Sequence, residues 1–156
     1  MVGELLAKQV LLAAAGPAWH GPGLLENLEG VSAAQAAAHP VPAAHSVWEL
    51  VLHLTVWTRE VERRLGGAAP GEPPEGDWPT LGAVTEDAWK RARAALREAH
   101  VSLSEAVRRF PEARWGTPVG GGKSDSYAET ILGALQHDGY HGGQIGLLRK
   151  TLGVGG

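Results

Sequence analysis

A chain of 156 residues can bury one real core but is short for two ordinary domains, so residues 1–156 are read as a single domain. Its net charge of −3 argues against nucleic acid as the main partner, because a phosphate backbone calls for a basic surface. The absence of cysteine removes disulfides, thiolate metal sites and cysteine nucleophiles together, leaving histidine and carboxylate as the side chains able to hold a metal.

In chain order, Val2 to Ala15 has helical spacing through Leu5, Leu6, Gln9, Leu12 and Ala13 and stops at Gly16-Pro17. No apolar run approaches the roughly 20 residues of a membrane span. Val10 to Ala15 is too short for a secretory leader and has Glu4 where a basic flank belongs, so the expected location is the cytoplasm. Trp19-His20-Gly21-Pro22-Gly23 reads as a turn. Two short helical pieces follow, Leu24 to Leu28 and, behind a Ser32 cap, Ala33 to Ala38. His39-Pro40-Val41-Pro42 cannot be helix interior, since each proline lacks a donor and disfavours helix in its predecessor.

Ser46-Val47-Trp48-Glu49 is a capping box that opens a helix running to Leu65, where Gly66-Gly67 ends it. Val47, Leu50, Leu54, Trp57, Val61 and Leu65 make one core stripe, and Trp48, Leu52 and Val56 make a second on roughly the opposite side. A helix apolar on two sides is buried on two sides, which in a small bundle suggests a subunit interface. Gly66 to Pro79 is loop by composition. From Leu81 to Phe110 apolar residues recur at spacings of three and four, with Pro111 as a stop. Trp115 to Ser124 is a second loop, and the Ser126-x-x-Glu129 capping box opens a last helix from Tyr127 to Leu152. Nothing alternates with period two, so the fold class is all-α, a four-helix bundle with long inter-helix loops.

In that last helix His137 and His141 stand one turn apart on the face that also carries Ala134, Ile145, Leu148 and Leu152. Imidazoles in an apolar stripe need partners for their donor and acceptor. A divalent metal supplies one answer, and hydrogen bonds to carbonyls or other helices supply the bland one. His53, at the flank of the first stripe of its helix, adds a third imidazole on a neighbouring helix. Three such ligands suit zinc, nickel or iron and leave a coordination position open.

Trp48-Glu49-Leu50-Val51-Leu52-His53-Leu54, together with His137-Asp138-x-Tyr140-His141-x-Gly143-Gln144-Ile145, resembles the DinB/YfiT-like superfamily. The Trp19-His20-Gly21-Pro22 turn and the Leu65-Gly66-Gly67 helix end are similar as well, so the resemblance spans nearly the whole chain. It implies a bundle of up-down-down-up connectivity, frequently a homodimer, with a divalent ion, often zinc or nickel, on a histidine triad. All three ligand positions are kept, as His53, His137 and His141. It further implies a metal-dependent enzyme acting on a small molecule, a thiol-dependent transferase or hydrolase in type, since some relatives use a low-molecular-weight thiol such as bacillithiol or mycothiol in transfer or isomerisation. The alternative is a non-catalytic metal-binding stress-response protein.

Catalytic candidates are Glu49 and Glu60, which flank His53, and Gln144, one turn from His141. Glu49 is also the capping-box acid. Asp138 and Tyr140 are expected off the midline of the histidine face, with Tyr140 packed. His39, His45 and His100 belong to no constellation, and His20 is expected in a solvated loop. Arg59, Arg63 and Arg149 could meet a substrate carboxylate, although solvated helix charge is the usual role. Gly120-Gly121-Gly122-Lys123-Ser124 fails as a phosphate loop, because the first glycine of that motif falls on Thr117 and no strand precedes it.

Overall fold

The computed structural model describes residues 1–154. Four long helices carry the fold: α1 (Val2–Ala15), α4 (Val47–Leu65), α5 (Glu86–Arg109) and α6 (Tyr127–Thr151). Two short helices, α2 (Leu24–Asn27) and α3 (Ala33–Ala37), lie between the first two, and a 3₁₀ turn at Glu112–Arg114 follows α5. Capping boxes at Ser32, Ser46 and Ser126 start α3, α4 and α6, each satisfying two backbone donors reciprocally.

Side-chain contacts fix the directions. Ser104 Oγ on α5 donates to Ala7 O on α1 (2.9 Å), and Arg108 meets Glu4, so the end of α5 lies along the start of α1. Trp48 packs on Trp89 with ring centroids 5.1 Å apart, while Ser102 Oγ reaches Glu62 Oε1 (2.7 Å), so α4 and α5 run parallel. The start of α4 shares a cluster with the end of α6, and its end shares another with the start of α6. The four long helices therefore run up, down, down and up.

Two apolar clusters fill the two ends. One is built around Leu28, Trp48, Leu50, Leu54, Trp89, Leu96, Ile145 and Leu148. The other is built around Leu6, Val10, Val61, Leu103, Val107, Phe110, Tyr127 and Ile131. Between them, at mid-height of α4, α5 and α6, lies a polar layer of His53, His100, Asp138 and His141, all buried, with His137 beside them. Small residues let α2 close over α6. A Cβ at Gly142 would stand 3.3 Å from Leu24 Cδ2, and one at Gly23 would stand 2.5 Å from Gly16 N, where the chain crosses itself.

The structure changes four readings of the pattern. The buried stripe of α1 is Leu6, Ala7, Val10, Ala13 and Ala14, and Leu5 is exposed, because α1 meets both α5 and α6 with its short side chains. The third long helix starts at Glu86 rather than Leu81. Thr85 accepts from Ala88 N and caps it, with Glu86 and Asp87 in the first turn, whereas Gly82 and the exposed Val84 lie in the connection. The Trp48, Leu52, Val56 stripe is no free interface, since Trp48 and Val56 are buried within the chain and Trp48 lies on Trp89. The cause is α3 and α5, which cover the side of α4 turned away from α6. Tyr140 is exposed rather than packed in the core, and its ring meets that of His141 edge-on (centroids 4.9 Å).

Candidate metal centre

The three histidines that sequence spacing singles out meet. His53 comes from the middle of α4, and His137 and His141 from the middle of α6, which runs antiparallel against it. One nitrogen from each lies within 4.8 Å of the others. The Nε2 atoms of His53 and His137 stand 2.9 Å apart, and the His141 ring centroid is 4.8 Å from that of His53 and 4.5 Å from that of His137.

Two of the outer nitrogens are already committed. His53 Nδ1–H donates to the carbonyl of Asp77 (2.7 Å), with the Asp77 carboxylate 3.3 Å away. His141 Nδ1–H donates to Gln144 Oε1 (2.6 Å). Each bond fixes the neutral tautomer whose bare lone pair is on Nε2, which is how proteins orient metal-ligating imidazoles. Burial above all, reinforced by the neighbouring His141 and His53, pushes His137 from its ordinary 6.5 down to about 4. Burial also lowers His141, partly offset by its bond to Gln144. Both rings are therefore held towards the uncharged form that can ligate.

Lone pairs aimed at one another at this distance repel unless a proton or a cation lies between them. One proton serves the His53–His137 line, and with the third nitrogen converging on the same space the cluster could hold a divalent cation. The donor set is three neutral imidazoles without thiolate, and two of them are held from behind by oxygen acceptors. That set fits zinc, nickel or iron.

The loop after α4 completes the surroundings. Trp57 Nε1–H donates to Asp77 Oδ1 (2.7 Å), pinning the loop to the helix that carries His53. Trp78 stacks flat on His53 (centroids 4.0 Å) and on its other face stacks on His45 (3.4 Å). Neither Asp77 nor Trp78 was legible as a site residue, nor was His45. An acid and an aromatic inside a stretch of proline and glycine are the one signal, and the stretch reads as loop without saying where it folds back.

A cavity of about 360 Å³ opens beside His53 and His137 along the groove between α4 and the first half of α6. His53, His137, Trp57, Val61, Ala134 and Asp138 line it, with Arg64, Asp77, Asp125 and Glu129 among its polar groups. The chain belongs to the DinB superfamily. That family's sequence profile matches residues 20–145, the span that holds all three histidines. Neither the curated proteins nor the solved structures compared with the chain include a match. Membership accords with the helical bundle and with a triad able to hold a metal ion.

The other candidates sort differently. Glu49 is spent on the Ser46 cap and on His39 (2.9 Å). Glu60 is buried and takes both Arg63 and Arg64. Neither lines the cavity. Arg149 holds the carbonyls of Glu26 and Val154, a scaffold role. His20 lines a separate hollow of about 750 Å³ beside Gly139, Gly142 and Gly143.

His100 and Asp138, by contrast, form a constellation that helical spacing on either element hides. His100 Nε2 lies 3.2 Å from Asp138 Oδ2, and its Nδ1 lies 2.9 Å from Leu96 O. The Leu96 carbonyl and an ionised Asp138 are both acceptors, a pair of partners that favours the doubly protonated ring. Desolvation is the largest influence and opposes that charge, but the Asp138 charge and hydrogen bond together with the Leu96 carbonyl outweigh it and raise the His100 pKa.

Proposed function

We propose that this DinB protein is a divalent-metal-dependent enzyme acting on a small substrate, with zinc or nickel on His53, His137 and His141 and a low-molecular-weight thiol as substrate or co-substrate. The carrying observation is the cavity of about 360 Å³ that reaches His53 and His137, since a purely structural or storage site has no use for such access. The rival, a non-catalytic metal-binding stress protein, predicts a plugged site. A divalent ion on the triad would keep its full charge among neutral imidazoles, and so would bring a bound water to a pKa of about 7 or hold a thiol as thiolate.

The chain's own residues prepare for this. The Asp77 carbonyl and the Gln144 amide hold two imidazoles with Nε2 free, so little reorganisation is left for binding. Trp78 covers one face of His53 and screens it from water. Trp57, Val61 and Ala134 give the cavity an apolar flank against which an aliphatic stem can lie, and the hydroxyls of Thr58 and Thr130, which also line it, donate to the carbonyls of Leu54 and Ser126. Assembly as a homodimer in the cytoplasm is part of the proposal on family grounds. Among the described residues no helix is long and apolar enough to cross a membrane.

The test is metal analysis of the purified protein, followed by a screen of thiols against electrophilic and isomerisable substrates. Turnover that a chelator abolishes and added metal restores supports the reading. One bound ion per chain with no turnover, and with no small molecule perturbing the ion's spectrum, favours the rival.

A further inference from the structure

The solvent face of α6 is unlike that of α5. On α5 every exposed position except Ala94 and Val101 is charged. Between Glu129 and Lys150 the exposed positions of α6 are Leu132, Gly133, Gln136, Tyr140, Gly143 and Leu147, and none carries a charge. At the helical angle per residue these six lie within an arc of about 100°, a stripe as wide as those that helices bury. Leu132, Tyr140 and Leu147 nevertheless keep between 47% and 66% of their surface in solvent.

Two glycines of this stripe lack the reason that holds their neighbours. A Cβ on Gly142 would meet Leu24 and one on Gly146 would meet Asn27, whereas one on Gly133 or Gly143 would meet nothing within 4 Å. Glycine inside a helix is less stable than alanine, so no contact within the described chain accounts for either. A second helix laid on this face does, because small residues let helix axes approach closely.

The stripe is also symmetric about its own centre. Glu129 and Lys150, Leu132 and Leu147, and Gln136 and Gly143 share one midpoint, between Gly139 and Tyr140. We propose that two copies of this chain meet on the exposed face of α6, with their α6 helices antiparallel about a two-fold axis at that midpoint. Leu132 of each copy then lies on Leu147 of the other, Gln136 meets the open side of Gly143, and both Tyr140 rings fall beside the axis. Charge selects this order. Antiparallel helices set Glu129 against Lys150 at both ends, whereas parallel ones would set each against its own kind. Glu129 spends Oε2 on Ser126, which leaves Oε1 for the contact. The fully exposed Trp19 flanks the axis, since its neighbour His20 lies 3.8 Å from where a Cβ on Gly139 would stand.

This surface deepens the homodimer of the functional proposal and draws nothing from the metal. Its link to the triad is Tyr140, whose ring meets that of His141 edge-on. Analytical ultracentrifugation of the full chain from about 1 µM to about 100 µM should find a dimer. Lys150→Glu sets like charges together twice per dimer and should weaken association at least about tenfold. Gly143→Arg, at a position open in the single chain, should give a monomer with an unchanged circular dichroism spectrum.

Cross-linking reads the register, and the absence of native cysteine keeps it clean. Under mild oxidation a mixture of Leu132→Cys and Leu147→Cys chains should join as a mixed disulfide dimer. Tyr140→Cys should join with itself, whereas Leu5→Cys, exposed on α1, should not. A monomer throughout the concentration range overturns both this interface and the homodimer. A dimer indifferent to Lys150→Glu and Gly143→Arg, or one that cross-links through Leu5→Cys and not through α6, overturns the interface and leaves the homodimer standing.

Discussion

Removing His100 tests the polar layer that holds the bundle's middle. The ring is 1% exposed and donates to Leu96 O and to Asp138, so His100→Ala leaves a carboxylate that is 5% exposed without its counter-ion, together with a ring-sized void. Removing one partner of a buried ion pair costs about 3–5 kcal/mol. For a domain of this size each kcal/mol lowers the melting temperature by about 2–4 °C, so a fall of at least about 6 °C is expected. The assay is urea unfolding followed by tryptophan fluorescence, in a double-mutant cycle with Asp138→Ala.

Because the two groups act on each other, the double variant should cost clearly less than the sum of the singles. The pH dependence has a definite sign. The folded pKa of His100 lies above the unfolded value near 6.5, so its contribution is complete below about pH 6.5 and is lost as pH rises through the folded pKa. The stability gap between wild type and His100→Ala should therefore narrow in alkali. A cost under about 1 kcal/mol, strict additivity, or a gap that widens with pH would refute the imidazolium assignment.

His53→Ala, His137→Ala and His141→Ala should each lose most of a single bound divalent ion, whereas His100→Ala should retain it, as measured by elemental analysis after dialysis. A chelator should lower the melting temperature of the wild type and leave the triple histidine variant unchanged. Half-release of metal should occur below pH 6.5, because the proton competing at His137 binds only near pH 4; release already at pH 7 would contradict that. In the metal-free protein the same depressed pKa means stability falls as pH drops from about 6.5 towards 4, by about 1–2 kcal/mol once screening at this half-exposed ring is allowed for. Trp89→Phe, which removes the buried indole donor to Val31 O (2.7 Å), should cost about 1–3 kcal/mol in urea unfolding with metal content unchanged.

Local chemistry determined much of this protein in advance. Capping boxes at Ser46 and Ser126, the glycines after Leu65 and the 3.6-residue spacing place α4 and α6 without reference to anything distant. The H-x₃-H pair is a one-turn neighbour relation on one helix, so its common face is fixed by helix geometry alone. What joins His53 to that pair is the antiparallel docking of α4 on α6, and neither helix encodes the rotation and height at which they meet. Only the fold decided that Asp77 and Trp78 return from a proline- and glycine-rich loop to hold and cover His53, because such a loop carries no periodicity from which to read a direction. Only the fold, likewise, brought His100, which carries no motif, and Asp138, known only as a neighbour of His137, together as an ion pair. Burial and counter-ion are properties of the space between elements, and a sequence specifies that space only once its helices are packed.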